Sequence, residues 1–262
     1  MGRVTVRRPV LRVSEQGRRH RTDTLAAEEP LELRLGGTRF TVTMRTPGDD
    51  IELAHGLLLA EGVIGAVRDV STARYCAGVD DQGVNTYNVL DVALSPDLSP
   101  PVPAPEVCGR PALDAVRRPT RYPPAGDTAT VDTTTLAGLP DLLRARQRGT
   151  GGLHAAGLFT AAGEPLAVRE DVGRHNAVDK VIGWALLDGR LPLAGTVLVV
   201  SARVSFALAH KAANAGIPVL ASPSAPSALA VELAAEEGVT LVGYLRGPTM
   251  TVYTREDRLS GS

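Results

Sequence analysis

Aromatic residues make up only 3% of this 262-residue chain, and cysteine and lysine each occur twice. No apolar run approaches the roughly 18 residues that a membrane-crossing helix needs. Scarce aromatics argue against binding nucleic acid by stacking bases, and a net charge of −1 leaves no electrostatic footprint for DNA or RNA. Cys76 and Cys108 are too few for a disulfide framework and fit a reducing compartment. The opening MGRVTVRRPVLRV lacks a continuous apolar stretch, so no secretory signal is expected, and Val6 stands where a myristoylation pattern needs Ser or Thr. Also missing are a Walker A loop, a Gly-x-Gly-x-x-Gly turn and a Gly-x-Ser-x-Gly elbow. There is no Cys-x-x-Cys, and no cysteine follows Cys108, so the zinc of a nucleobase deaminase has no ligands here. The expectation is a soluble, cytoplasmic protein without metal, nucleic acid or membrane as partner. What is present, 44% hydrophobic residues, suffices for a substantial core.

Residues 1–27 read as a basic N-terminal tail, with seven Arg in the first 25 against Glu15 and Asp23 and little periodicity. It is either frayed or a docking segment for an acidic partner or for cofactor phosphates. Residues 28–95 read as a smaller α+β domain. In it, LELRL and RFTVTMR flank Gly36-Gly37 as a hairpin, and Thr46-Pro47-Gly48-Asp49 predicts a capping box with Pro at the first helical position. That helix runs to about Glu61, and strands follow near Val70–Cys76 and Tyr87–Ala93. Nine of the 19 prolines fall between Pro96 and Pro124, which marks residues 96–150 as an irregular loop followed by a helix over Leu136–Arg148. From residue 151 to 262 short strands alternate with helices, the pattern of an α/β domain with a largely parallel, helix-covered sheet.

Polar chemistry concentrates where those strands end. REDVGRHN places Arg169, Glu170, Asp171, Arg174, His175 and Asn176 between a strand and an amphipathic helix. Strand ends of open α/β sheets bind ligands, and a helix start preceded by Gly173 favours an anion. Ser201-Ala202-Arg203-Val204-Ser205 and Tyr244-Leu245-Arg246-Gly247-Pro248-Thr249 repeat the arrangement. Each is either an ordinary solvated loop or part of a site. Together they suit a phosphate-bearing ligand, because Arg grips phosphate with two parallel hydrogen bonds. His154 and His175 are the better histidine candidates, whereas His55 and His210 sit in Leu- and Ala-rich helices and read as structural or surface residues. Cys76 reads as a small buried hydrophobe. Cys108, beside Gly109-Arg110 and near Arg117 and Arg118, is either an incidental loop cysteine or a thiolate nucleophile favoured by nearby cations.

The strings TVTMRTPGDDIELAHGLLLAEGVI, VCGRPALDAV, TGGLHAAGLF, REDVGRHNAVDKVIG, AGIPVLASPSAPSALAVELA and LVGYLRGPTMTVYT occur in this order. Over roughly residues 28–255 the chain resembles the FdhD/NarQ family of formate dehydrogenase accessory sulfurtransferases. The resemblance implies a cytidine-deaminase-like α/β core without zinc and a smaller N-terminal domain. It implies a homodimeric sulfur carrier that takes a persulfide from a cysteine desulfurase. The sulfur then passes to bis-molybdopterin guanine dinucleotide before insertion into the formate dehydrogenase catalytic subunit. Mapped onto this chain, Cys108 is the sulfur-bearing residue. Tyr244, Leu245, Arg246, Gly247, Pro248, Thr249, Arg174, His175, Asn176, Ser201 and Arg203 are the cofactor-binding residues. Two motifs depart from the family pattern. The Cys-x-x-Cys-Gly loop reads Pro105-Glu106-Val107-Cys108-Gly109, and Ser-Gly-Arg…Ser-Phe-Glu reads Ser201-Ala202-Arg203…Ser205-Phe206-Ala207. The alternative is a chaperone that binds the cofactor and the dehydrogenase without moving sulfur.

Overall fold

The structure, a computed structural model, describes residues 4–76, 86–98, 120–147 and 151–261. Strands β1 (Thr5–Ser14) and β2 (Gly17–Ala26) pair antiparallel from Thr5↔Ala26 to Ser14↔Gly17. The segment expected as a tail is therefore a two-stranded ribbon. Its pattern hid this, because most side chains on both ribbon faces are exposed and no apolar alternation develops.

β3 (Glu29–Leu35) and β4 (Thr38–Arg45) form the expected hairpin around Gly36-Gly37. With β5 (Val70–Tyr75) and β6 (Val89–Leu94) they make a four-stranded sheet in the order β4-β3-β6-β5. Helix α1 covers only Asp50–Ala60. The capping box expected at Thr46 does not form, because Thr46 is engaged elsewhere. Its N–H donates to the Asp171 carboxylate at 3.1 Å, and its hydroxyl donates to the Ala27 carbonyl and accepts the Val172 N–H.

β7 (Val131–Asp132) leads into α2 (Thr133–Ala145), whose first turn is capped by the Asp132 carboxylate accepting the N–H groups of Thr134 and Thr135. Then follow β8 (His154–Thr160), β9 (Pro165–Asp171), α3 (Arg174–Leu187), β10 (Thr196–Val200), α4 (Phe206–Asn214), β11 (Val219–Ala221), α5 (Ala228–Glu237), β12 (Thr240–Arg246), β13 (Thr249–Thr254) and β14 (Leu259–Ser260). Six of these strands make the principal sheet, in the order β13-β12-β11-β10-β8-β9. It is mixed: β10, β11 and β12 are parallel, whereas β8, β9 and β13 join through antiparallel ladders. The largely parallel sheet expected from the sequence is thus confined to the two strand–helix–strand units around α4 and α5.

Period-2 alternation splits that sheet into two buried faces. Leu158, Leu198, Val200, Leu220 and Leu241 face one core with residues of α1, α3, α4 and α5, while Phe159, Val197, Val199, Val219 and Val242 face a second with α2. The first core also includes Leu31, Leu33, Leu90 and Val92 of the four-stranded sheet, so hydrophobic packing is continuous between the two sheets. The link is the α1–α3 crossing. A Cβ added at Gly56 would lie 1.9 Å from the Asp179 carbonyl oxygen, and one at Gly183 would lie 1.8 Å from that of Glu52. Two glycines let the backbones meet where any side chain would hold them apart.

Candidate functional site

The topology brings five chain segments to one edge of the principal sheet. β10, β11 and β12 all end there, and the antiparallel pairing of β8 with β9 sets His154 opposite Asp171 at the same edge. Across the strand order, Tyr244–Thr249, Ser222–Pro226, Ser201–Ser205, His154 and Asp171–Asn176 form a row. From β12 to β9 this row spans about 19 Å, at roughly 4.8 Å per strand. Such carboxyl edges are where open α/β sheets hold ligands.

Hydrogen bonds join these segments to one another. Tyr244 N–H donates to the Ser224 carbonyl and Leu245 N–H to that of Ser222. The Ser222 hydroxyl donates to the Ala202 carbonyl at 2.7 Å, and Ser227 N–H donates to Val204. The Ser201 hydroxyl accepts the Ala155 N–H at 2.9 Å. His175 Nε2 lies 3.3 Å from the Ser205 hydroxyl and connects α3 to the start of α4. The Ser222–Ser224 segment went unrecognised in the sequence, although its small polar residues between a strand and a helix repeat the signal read at Ser201.

The sequence-derived residues divide into those that face the edge and those that hold it. Tyr244 is 46% exposed and adopts φ +50°, a left-handed conformation that tilts it out of β12 where the ladder with β13 is irregular. Arg203 is exposed, and the Arg246 guanidinium is drawn over the neighbouring loop by Nε donating to the Pro223 carbonyl at 3.2 Å. Gly247 and Pro248 are the exposed β12–β13 turn, and Thr249, also exposed, begins β13. Arg174 stands at the start of α3, and its buried Nε has no hydrogen-bond partner among the described residues. Leu245, in contrast, is fully buried in the second core, so its contribution to the edge is its backbone. Asn176 is buried too: its amide N–H groups donate to the Met44 carbonyl and the Asp171 carboxylate, and its oxygen accepts the Thr43 hydroxyl. It positions the loop from behind.

Asp171 is the centre of that support. Its fully buried carboxylate accepts from Gly173 N–H at 2.8 Å, Asn176, Thr46 N–H and Lys180, whose Nζ sits 2.8 Å away and also donates to the Thr46 carbonyl. Asp179, next to Lys180 in the chain, pairs with Lys211 at 2.6 Å; burial pushes its carboxyl upward, against the pull of the lysine. His175 is held down to about 4, first by burial and then by Arg174, Lys211 and His154, so it is a neutral imidazole at ordinary pH. Burial and then Arg174 push His154 down as well. The edge therefore joins neutral imidazoles to arginine, a combination suited to receiving an anion.

Cys108 lies outside the described residues. Cys76 is half-buried at the end of β5 and unpaired, with its N–H donating to the Val89 carbonyl. His55 and His210 are buried structural residues, the first with Nδ1 2.7 Å from the Ile51 carbonyl and the second stacked on Phe206. Among the described residues no three His, Cys, Asp or Glu side chains are grouped to hold a metal, and no helix is long and apolar enough to cross a membrane.

The sequence model of the FdhD/NarQ family matches residues 26–260. The chain belongs to the FdhD/NarQ family. A relative from Nocardia farcinica, named sulfur carrier protein FdhD, is 58% identical over 98% of this chain and 96% of its own. A second of the same name, from Mycolicibacterium paratuberculosis, is 56% identical over 98% and 99% of the respective chains. The fold is shared with a solved structure from Desulfotalea psychrophila titled as a formate dehydrogenase accessory protein, at a TM-score of 0.78, 23% identity and coverage of 98% and 100%. In this FdhD/NarQ chain the family match includes the whole sheet edge, whereas most of the β1–β2 ribbon precedes it.

Proposed function

We propose that the protein is a sulfur carrier serving formate dehydrogenase. Cys108 accepts sulfane sulfur from a cysteine desulfurase as a persulfide. The sheet edge holds the sulfur acceptor, bis-molybdopterin guanine dinucleotide, as substrate. In this reading the principal sheet and its helices are a cytidine-deaminase-like core without zinc, and the protein acts as a cytoplasmic homodimer. The observation that carries the reading is the gathering of Arg174, Arg203 and Arg246 with Tyr244 along one edge. Relatives named as sulfur carriers support it.

The residues suit such a substrate. The buried Arg174 Nε is a donor awaiting an acceptor, and phosphate oxygens supply one. Tyr244 offers an exposed ring face for a planar base. The row is long enough for an extended, dinucleotide-like ligand rather than a single small anion.

Calorimetry with GDP tests the site. Arg246→Ala and Arg174→Ala each remove a charge-assisted contact worth about 1.5–3 kcal/mol, so affinity should fall roughly 10- to 150-fold. Unchanged affinity in both variants would place the nucleotide elsewhere. Pro105, in place of the first loop cysteine, favours a second reading: a chaperone that holds the cofactor and moves no sulfur. Loading of sulfur onto the protein separates the two.

A further inference from the structure

The β1–β2 ribbon is not explained by the sheet-edge chemistry. Beyond Thr5, Val6, Val10, Asp23 and Ala26, all of them half-buried, its side chains are exposed. A lone two-stranded hairpin is at best marginally stable in water. Residues 1–26 carry seven Arg against Glu15 and Asp23, a net +5, which leaves −6 on the remainder of a chain whose total is −1. The ribbon leaves the body beside the site: Ala27 N–H donates to the Val4 carbonyl, and the Ala27 carbonyl accepts the Thr46 hydroxyl that also receives Val172 N–H.

The charges on the ribbon are placed against its own stability. The register sets Arg12 directly opposite Arg19, with Arg8 and Arg21 on the same face. Like charges opposite one another destabilise a strand pair. Asp23, directly opposite Arg8 and bonded to Arg21 at 3.1 Å, is the only acid on that face; Arg12 and Arg19 make no ion pair among the described residues. Arg12 and Arg19, with Ser14, Glu15, Gln16 and Gly17, line a hollow of about 410 Å³ at the ribbon's end, two guanidiniums against one carboxylate. The other face exposes Leu11 and Val13, at 46% and 64%. Unneutralised guanidiniums backed by exposed aliphatic groups match a protein surface with clustered carboxylates. A phosphodiester backbone would gain nothing from Leu11 or Val13 and would be repelled by the −6 body.

We propose that the ribbon is a docking arm for a carboxylate-rich surface on the client polypeptide, which, on the reading above, is formate dehydrogenase. Arg12 and Arg19 receive the carboxylates, and Leu11 and Val13 supply apolar contact. Because the arm springs from the site's rim, docking sets the client beside the sheet edge.

The test measures binding of purified, cofactor-free formate dehydrogenase catalytic subunit to the full chain and to Arg12→Glu. The substitution puts a carboxylate opposite Arg19, so amide exchange in the ribbon should be as slow as in the parent or slower, yet binding should weaken about tenfold or more at low salt. The difference should narrow as salt rises, and ribbon amides of the parent should gain protection on binding. Binding unchanged in Arg12→Glu overturns the arm while leaving the carrier reading intact. No binding by the parent chain overturns both. Two other results also overturn it: dissociation of a self-associated form by Arg12→Glu without change in client binding, and duplex-DNA binding that the same substitution abolishes.

Discussion

Asp171 and Lys180 show how much of the polar string around them is scaffold. The buried carboxylate has four donors and the buried ammonium three acceptors, tying the end of β9 to the segment before α1. Removing one member of a buried pair leaves the other charged and unmatched, so Lys180→Met should cost about 3–5 kcal/mol in denaturant unfolding. A loss within about 1 kcal/mol would mean the pair is not the anchor described. His175 gives a pH signature. Its folded value of about 4 lies below the ordinary 6.5, so between those values the unfolded chain binds the extra proton. Its contribution to stability is thus complete above the unfolded value and lost as pH falls toward the folded one. His175→Asn should flatten the acid side of the stability–pH curve in that window; a curve identical to the parent's contradicts a buried neutral imidazole. The density of polar residues in REDVGRHN made the site legible in the sequence. Which of them face a ligand was not legible, because Asn176 is turned inward by Met44 and Thr43, residues more than 130 positions away.

At the scale of elements, local pattern was reliable where one face is apolar. The amphipathic helix expected after REDVGRHN is α3, and Val178, Val181, Ile182, Ala185 and Leu186 on one of its faces are all buried. Local pattern failed where tertiary contacts compete with local rules, as at Thr46, whose hydroxyl and N–H serve Ala27, Val172 and Asp171 instead of a helix cap. The ribbon was invisible for the opposite reason, having no buried face to pattern. The α1–α3 crossing gives a sharp contrast between two substitutions. Gly183→Ala drives a methyl into the Glu52 carbonyl and should destabilise by about 1–3 kcal/mol or more. Gly138→Ala, in α2 with nothing within 4 Å, should stabilise by about 0.4–1 kcal/mol through the entropy of the unfolded chain. Thermal or denaturant melts compare them directly. Equal effects would contradict the tight crossing.

For the whole molecule, alternation of strands and helices was enough to place the chain in the α/β class, but not to order its strands. Only β10, β11 and β12 run parallel, since β8–β9 and β12–β13 return as hairpins on either side of the two crossover units. That order is what turns three separate polar loops into one row and gives the carrier proposal its acceptor site. Its proposed donor residue, Cys108, rests on the resemblance and on neighbouring arginines in the sequence. Pro105 removes the second thiol that would expel sulfur from a persulfide by closing a disulfide, so a single-cysteine carrier should hold its sulfur longer. The most direct measurement is labelled-sulfur loading by a cysteine desulfurase, read by intact-protein mass in the parent, Cys108→Ser and Cys76→Ser chains with folding checked in each. The account predicts one transferable sulfur on the parent and on Cys76→Ser, and none on Cys108→Ser. Loading that survives Cys108→Ser and disappears with Cys76→Ser, or that never occurs in the parent, would contradict it.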